Sequence, residues 1–468
     1  MLKIYNVLSH KKEEFKPIDP DCVRMYACGL TVSSDAHIGH AYQGVVFDMI
    51  AKYLEYKGYK VKYVKNYTDV DDKIINNASK AGRDPIEYAN YYVDKTEKEM
   101  KQIGNTKPIT PRVTENIPQI IDFIEKLIEK DVAYSTENGD VYFKVKSFKD
   151  YGKLSRIKLE ENEVGVRKEL EPGKIDSADF ALWKSAKSGE IFWNSPWGKG
   201  RPGWHIECSA MNLNILGEQI DIHGGGRDLI FPHHENEIAQ TESLTGKKFA
   251  NFWVHCGLVK INGQKMSKSL GNGITAQEII EKYDMDTIRL AMFRNLYSSD
   301  INITDDFFNM SASYVYTVYS TLIRLKNPEE IDTTKTNKLI SGIVEEFEKE
   351  MDDNFNTPNV LKNLIRSLKD LENEKNIDVK KVSNEILNLF KVFNLFQRDA
   401  FEYVSNVRAK VLKENNITEL DILEKIKERQ KYKEEKNFEK ADLIRKELFN
   451  KNIILKDSAN GTSWDISL

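Results

Sequence analysis

Long apolar runs are missing from this sequence of 468 residues. None approaches the ~20 residues that span a bilayer, and the opening Met1 to His10 has no apolar signal core. The expectation is a chain that stays in the cytoplasm, without a membrane partner. Cysteine is scarce, at four residues: Cys22, Cys28, Cys208 and Cys256. So few exclude a disulfide framework and leave core or metal-ligand roles. A basic field is also lacking, because the formal net charge is -4. That removes any global electrostatic signal for nucleic acid while leaving room for a local phosphate patch. Histidine and cysteine do not occur beyond Cys256, and Trp464 is the only tryptophan there, so the chemistry is concentrated in the first part of the chain.

What is present is 40% hydrophobic and 30% charged, the composition of a folded protein. A single core stops growing at roughly 250 to 300 residues, so at least two or three domains are expected. The apolar run Cys22 to Ala27 ends in Cys28-Gly29, a helical pattern follows from His37 to Tyr56, and a second run covers Tyr59 to Tyr67. Strand alternating with helix predicts βαβ units and a parallel sheet, with ligands at the carboxyl ends of the strands. Pro108 to Pro118 marks a boundary, and the stretch from there to Gly200 reads as an insertion carrying one hairpin, Tyr134 to Val145 around Asn138-Gly139. Gln219 to Gly226 is again strand then tight loop, and Phe231 to Leu244 is helical. Beyond Asn309 the Lys/Glu/Leu/Ile periodicity, as in Lys338 to Leu371 and Ile422 to Leu448, predicts amphipathic helices.

Two segments carry phosphate chemistry. His37-Ile-Gly-His40 sits past a strand and at a helix start, where unpaired backbone N–H groups and the helix dipole attract anions. Gly263-Gln-Lys265-Met-Ser-Lys268-Ser-Leu-Gly-Asn272 is a glycine-flanked loop with two lysines, suited to bringing ammonium groups to a developing pyrophosphate. Either alone is weak; both together point to an ATP-using enzyme.

These segments resemble the two signatures of the class I aminoacyl-tRNA synthetases, and the resemblance is closest to the cysteinyl-tRNA synthetases. It extends through Cys28-Gly-Leu-Thr-Val32, Asn66-Tyr-Thr-Asp-Val-Asp-Asp-Lys73, Arg201-Pro-Gly-Trp-His-Ile-Glu-Cys-Ser-Ala-Met211, Asp221-Ile-His-Gly-Gly-Gly-Arg-Asp228 and Phe231-Pro-His-His-Glu-Asn-Glu237. The resemblance implies activation of L-cysteine with ATP, accompanied by Mg2+, to cysteinyl-adenylate, then transfer to the 3'-terminal adenosine of tRNA(Cys). His37, His40, Lys265 and Lys268 would act on the phosphates, Asp228 on the ATP ribose, and Thr68 and Trp204 on the amino acid. It also implies a Rossmann-like α/β catalytic domain in two halves, 1–112 and 201–256, with a connective insertion at 113–200. A stem-contact region with the lysine loop (257–306), a helical bundle (307–404) and a C-terminal anticodon-binding domain (405–468) would follow. A monomer is expected. Around the first signature the chain departs from the family pattern: Leu30 stands for the usual proline, Ser33 and Ser34 for a Tyr-Asp pair, and Tyr42 for an arginine.

Cys28, Cys208, His233 and Glu237 form a soft, nitrogen and carboxylate donor set suited to one Zn2+. Residues 233 and 237 are four apart, so on a helix they share a face; His234, three before Glu237, fits that face too, and the family pattern favours His233. Four protein ligands make a closed site. The resemblance implies that the substrate thiol joins the ion, with Glu237 as the weakest protein ligand. An apolar pocket separates near-isosteres by only ~10 to 200-fold, whereas a coordinated thiolate distinguishes cysteine from serine by ligand chemistry, so no editing domain is expected. His205, His223 and His255 are expected near this group, and Trp464 either packs or stacks on a base. A ligase for small amines would lack the long helical extension. A zinc deaminase, suggested by His205-x-Glu207, would need a downstream Pro-Cys-x-x-Cys pair that the sequence lacks. A non-catalytic zinc protein that binds tRNA would not need the lysine loop.

Overall fold

In the computed structural model the described residues are all but 159–172, 267–270, 305 and 459–460. Packing divides the chain into two units. The first comprises Met1–Met285, Met292–Ile303 and Glu348–Val360; the second comprises Asp286–Ala291, Thr304–Phe347 and Leu361–Leu468.

The first unit is built on a four-stranded parallel sheet, ordered Ala250–Cys256, Ile220–Gly226, Cys22–Thr31, Lys60–Thr68. The β-branched and aromatic runs read as strands in the sequence form it. Its two central strands are the first and third in chain order, so the chain winds outward in both directions from their junction. That junction is the topological switch point where such sheets bind ligands. Both edges are covered. The N-terminal ribbon donates Val7 N–H to the Trp253 carbonyl at 2.9 Å, and Lys65 N–H reaches the Ile109 carbonyl at 2.9 Å.

Helix Ile38–Tyr56 follows the first strand, with His37 as its N-cap. The insertion forms its own antiparallel sheet, ordered Ala133–Ser135, Val141–Phe143, Phe180–Ser185, Gly198–Pro202, Trp193–Ser195. Its first turn is the expected hairpin, with Gly139 at φ +88°, a conformation that side chains rarely adopt. Helix Trp204–Leu216 returns the chain to the parallel sheet. The helical stretch expected from Phe231 begins later. Ile230–His234 is a wide π-type turn with non-helical Phe231, and the regular helix covers Glu235–Thr245.

The amphipathic helices expected within Lys338 to Leu371 are Thr333–Asp352 and Thr357–Asp370. Between them Asn354 and Phe355 are left-handed (φ 61° and 54°). The break has a tertiary cause: Asn354 Oδ1 accepts from Tyr5 N–H (2.8 Å) and the Tyr297 hydroxyl (2.9 Å).

The second unit is largely helical and closes with the antiparallel pair Ile453–Ser458 and Gly461–Ile466. Fully buried Asp286 organises it, accepting from the Tyr319 hydroxyl (2.7 Å), Arg398 Nη2 (2.7 Å) and Phe396 N–H (2.9 Å). The guanidinium of Arg408 lies 5.2 Å from the half-buried Trp464 ring.

Candidate active site

The switch point gathers the predicted donors. The first strand carries an irregularity between Ala27 and Leu30, which places Cys28 at its carboxyl end. Next to it, Gly29 leaves no room for a side chain: a Cβ there would lie 1.5 Å from the Asn66 carbonyl oxygen. Its N–H donates to Asn66 Oδ1 at 2.8 Å. Helix Trp204–Leu216 supplies Cys208, the wide turn supplies His233, and the following helix supplies Glu237. The donor atoms of Cys28, Cys208, His233 and Glu237 all lie within 4.8 Å of one another, and all four residues are buried.

Glu237 is the hub. Its Oε1 is 2.9 Å from His233 Nε2 and 3.1 Å from Cys28 Sγ, and its Oε2 is 3.1 Å from His223 Nε2. An overlapping set of Cys28, His223, His234 and Glu237 satisfies the same 4.8 Å criterion. Geometry therefore leaves both histidines of the 233–234 pair within reach, as spacing does.

The electrostatics suit a cation. Burial opposes charge on Glu237, but His223 and His233 outweigh it and hold its carboxyl well below the usual range. Burial also disfavours the His233 imidazolium, yet Glu237 and Cys208 raise it to about 10. A hydrogen bond from Cys28 brings the Cys208 thiol down to about 6, while burial and the same neighbour push Cys28 well up. Burial depresses His205, His234 and His255, to about 3 in the last case, so they stand as neutral imidazoles. His234 Nε2 is buried without a hydrogen-bond partner, 4.0 Å from Glu237 Oε1. A buried orphan nitrogen beside a carboxylate and two thiols fits a divalent ion with soft and nitrogen ligands.

A surrounding layer fixes the donors. His205 Nδ1 lies 2.9 Å from His233 Nδ1, the Trp204 ring lies 4.4 Å from that of His233, and His234 Nδ1 lies 2.8 Å from His255 Nε2. Groups that orient a ligating histidine typically tune metal affinity by ~10 to 100-fold. If this group holds a metal through His233, His205→Ala is expected to weaken its binding by a factor in that range without unfolding the chain. Competition with a chromogenic chelator measures it, and unchanged affinity would show that His205 does not orient His233.

The two phosphate segments meet beside this group. His37 Nδ1 accepts from Gly39 N–H at 3.1 Å, and His40 Nδ1 accepts from His37 N–H at 3.2 Å, a capping box made of two histidines whose rings stack at 3.6 Å. Each Nδ1 is thereby taken up by a backbone N–H. Downstream of the lysine loop, Ile38 N–H donates to the Ile274 carbonyl (2.9 Å) and Ala276 N–H to that of Ala36 (2.8 Å). The two segments are thus joined by backbone hydrogen bonds. They enclose a cleft of roughly 380 Å³ lined by His37, His40, Trp204, Asp228 and Lys265 among others. Lys268 lies outside the described residues.

The remaining expectations distribute unevenly. Thr68 is only 3% exposed, its hydroxyl donates to Glu207 Oε2 at 2.9 Å, and it does not line this cleft. Leu30, Ser33 and Ser34 do line it, whereas Tyr42 is buried and donates to the Tyr297 carbonyl at 3.0 Å. Sequence reasoning missed Gln43, which lines the cleft and donates to the Cys28 carbonyl at 2.8 Å. Its only signal is a position three residues after His40, on the same helical face.

Residues 14–313 match the family described as tRNA synthetases class I (C) catalytic domain. The chain is 44% identical over 491 aligned residues to the cysteine–tRNA ligase of Thermodesulfovibrio yellowstonii, covering 100% of both chains. It is 44% identical over 471 residues to that of Geobacillus sp. (strain WCH70), covering 99% of each. Among solved structures it is similar to Mycobacterium tuberculosis methionyl-tRNA synthetase in complex with methionyl-adenylate, with a TM-score of 0.59, 14% identity, and coverage of 80% of this chain and 89% of that one. At that identity the likeness shows the fold alone.

Proposed function

The chain belongs to the cysteine–tRNA ligases of the class I tRNA synthetases, and from that premise we propose how its own residues carry out the activity and select the substrate. The reaction is the activation of L-cysteine with ATP followed by transfer to tRNA. A cysteine carboxylate oxygen attacks the α-phosphorus, the bond to pyrophosphate breaks, and cysteinyl-adenylate forms. A hydroxyl of the terminal tRNA ribose then attacks the acyl carbon and AMP leaves.

His37 and His40 donate from Nε2 to phosphate oxygens, and the ammonium groups of Lys265 and Lys268 neutralise charge on the departing pyrophosphate with Mg2+, which arrives with ATP. Asp228 accepts from the ATP ribose. Folding back of its carboxylate is supported by Gly226, where a Cβ would meet Asp228 Oδ1 at 2.5 Å. Cys28, Cys208, His233 and Glu237 would hold Zn2+, which when bound would supply a Lewis acid that favours a thiolate over a hydroxyl. Trp204 lines the cleft while packing on His233, so substrate side chain and metal group share one wall. Thr68 acts through Glu207, as a positioning residue.

The observation that carries this reading is the buried four-donor group at the switch point beside the histidine-capped cleft. We further assign 1–112 and 201–256 to the catalytic domain, 113–200 to the insertion, 257–306 to stem contact, 307–404 to the bundle and 405–468 to anticodon binding. The acceptor is tRNA(Cys), and the enzyme acts as a cytoplasmic monomer. Transfer of labelled cysteine to tRNA(Cys), run beside other tRNAs and small amines, tests it. Labelling of tRNA(Cys) alone is expected; labelling of a small amine in preference would overturn it.

A further inference from the structure

On strand Lys60–Thr68 side chains alternate, so Tyr63, Lys65 and Tyr67 share one face while Val64, Asn66 and Thr68 take the other. The second face serves the core and the metal group. The first lines a separate cavity of roughly 600 Å³, closed by helix Ile38–Tyr56, helix Pro85–Gln102 and the segment that covers the strand's edge. Its size is that of a small-molecule pocket, and its walls are largely apolar, with Leu30, Met100 and Pro108 beside the two tyrosines.

A lysine between two tyrosines on an inward strand face breaks the pattern that the rest of the strand obeys. Of the three carboxylates that line the cavity, Asp94 is exposed and the other two are engaged elsewhere. Asp48 holds Lys52 at 3.0 Å and Thr106 N–H at 2.9 Å, and Glu97 holds Lys107 at 2.9 Å. Among the described residues no acceptor is bonded to the Lys65 ammonium. Burial brings it down to about 8, so at neutral pH it is still charged. Lys98, Lys101 and Lys107 also line the cavity but are exposed, and Lys107 pairs with Glu97, so Lys65 is the one lining lysine that is drawn in from solvent. The cavity also shares Leu30 and His40 with the nucleotide cleft.

We propose that this cavity binds an amphipathic monoanion, a compact apolar body whose single carboxylate-like group pairs with Lys65, and that its occupancy is felt at the nucleotide cleft through the shared wall at His40. An apolar body alone would satisfy the tyrosines but leave the ammonium unpaired. A polyanion such as a nucleotide would need a second cation beside Lys65, and the other three lining lysines are exposed to solvent. Linkage requires that ligand and ATP alter each other's affinity by the same factor.

The test uses the full-length enzyme with 1-naphthoate and its neutral counterpart 1-naphthamide, binding being followed by calorimetry. The wild type is expected to bind the acid at least tenfold more tightly than the amide. Lys65→Met should abolish that preference, and Lys65→Arg should keep it. Saturating 1-naphthoate should shift the KM for ATP in pyrophosphate exchange at least threefold in the wild type and not in Lys65→Met. Equal affinity for acid and amide, absence of binding to the wild type at millimolar concentration, or an unchanged KM at saturation would overturn the proposal. Because the acid and amide are compared on the wild type, the result stands even where a variant fails to fold, and the binding arm is independent of the roles assigned to the metal and phosphate residues.

Discussion

Cys208→Ser is expected to leave the enzyme without stoichiometric zinc and to reduce cysteine activation by about a thousandfold or more. Cys208 contributes one of two sulfur donors to the buried group, and its thiol is already held near 6, so at neutral pH it is the readier thiolate of the pair. A serine hydroxyl titrates far above that range and is a harder, poorer ligand. On the proposed reading, in which the metal meets the substrate thiol, losing that Lewis acid removes several kcal/mol of stabilisation, and each 1.36 kcal/mol is a factor of ten. Discrimination against serine should fall with it, toward the ~10 to 200-fold that shape alone supplies. Elemental analysis gives the zinc content, and pyrophosphate exchange with each amino acid gives the ratio. Cys22→Ser is the control, since Cys22 lies half-buried at the start of the first strand, outside the donor group. Full zinc and full discrimination in Cys208→Ser would remove the metal from the account of selectivity.

Much of this site was legible in the sequence because its residues sit at the ends of regular elements. A strand that carries Cys28-Gly29 near its carboxyl end and a helix capped by His37 place their side chains at the switch point by topology alone. The hairpin at Asn138-Gly139 was legible for a local reason, turn chemistry. What was not legible depends on contacts distant in sequence. The break at Asn354-Phe355 comes from Tyr5 and Tyr297, residues that no periodicity around 354 can foretell. The late start of helix Glu235–Thr245 follows from the non-helical Phe231 within the wide turn, and it is in that turn that His233 and His234 are presented to Glu237. Gln43 looks like any polar residue on a helix until it is seen holding the Cys28 carbonyl. Lys65 is similar: on paper it is one lysine among several in Lys60 to Lys65, and only the covering of the edge strand by the chain around Ile109 turns it inward.

The lysine loop gives the second large effect. In the proposed reading His37 and His40 orient phosphates by hydrogen bonds, and the helix terminus they cap contributes about half a charge. On the same reading most of the charge of the departing pyrophosphate falls to Mg2+ and the two lysines. Removing one well-placed donor to developing negative charge costs ~10² to 10³ in rate. Lys268→Ala is accordingly expected to lower the kcat of cysteine-dependent pyrophosphate exchange by that factor, with zinc content and the KM for cysteine little changed. Lys265, exposed on the short pair with Val259–Ile261, should matter less, so Lys265→Ala serves as the internal comparison. Lys268→Arg keeps the charge but replaces a compact ammonium by a planar fork, and partial recovery is expected from it. An exchange rate in Lys268→Ala equal to wild type would mean that charge on the leaving group is met from elsewhere, and the pairing of the two signatures around one triphosphate would have to be abandoned.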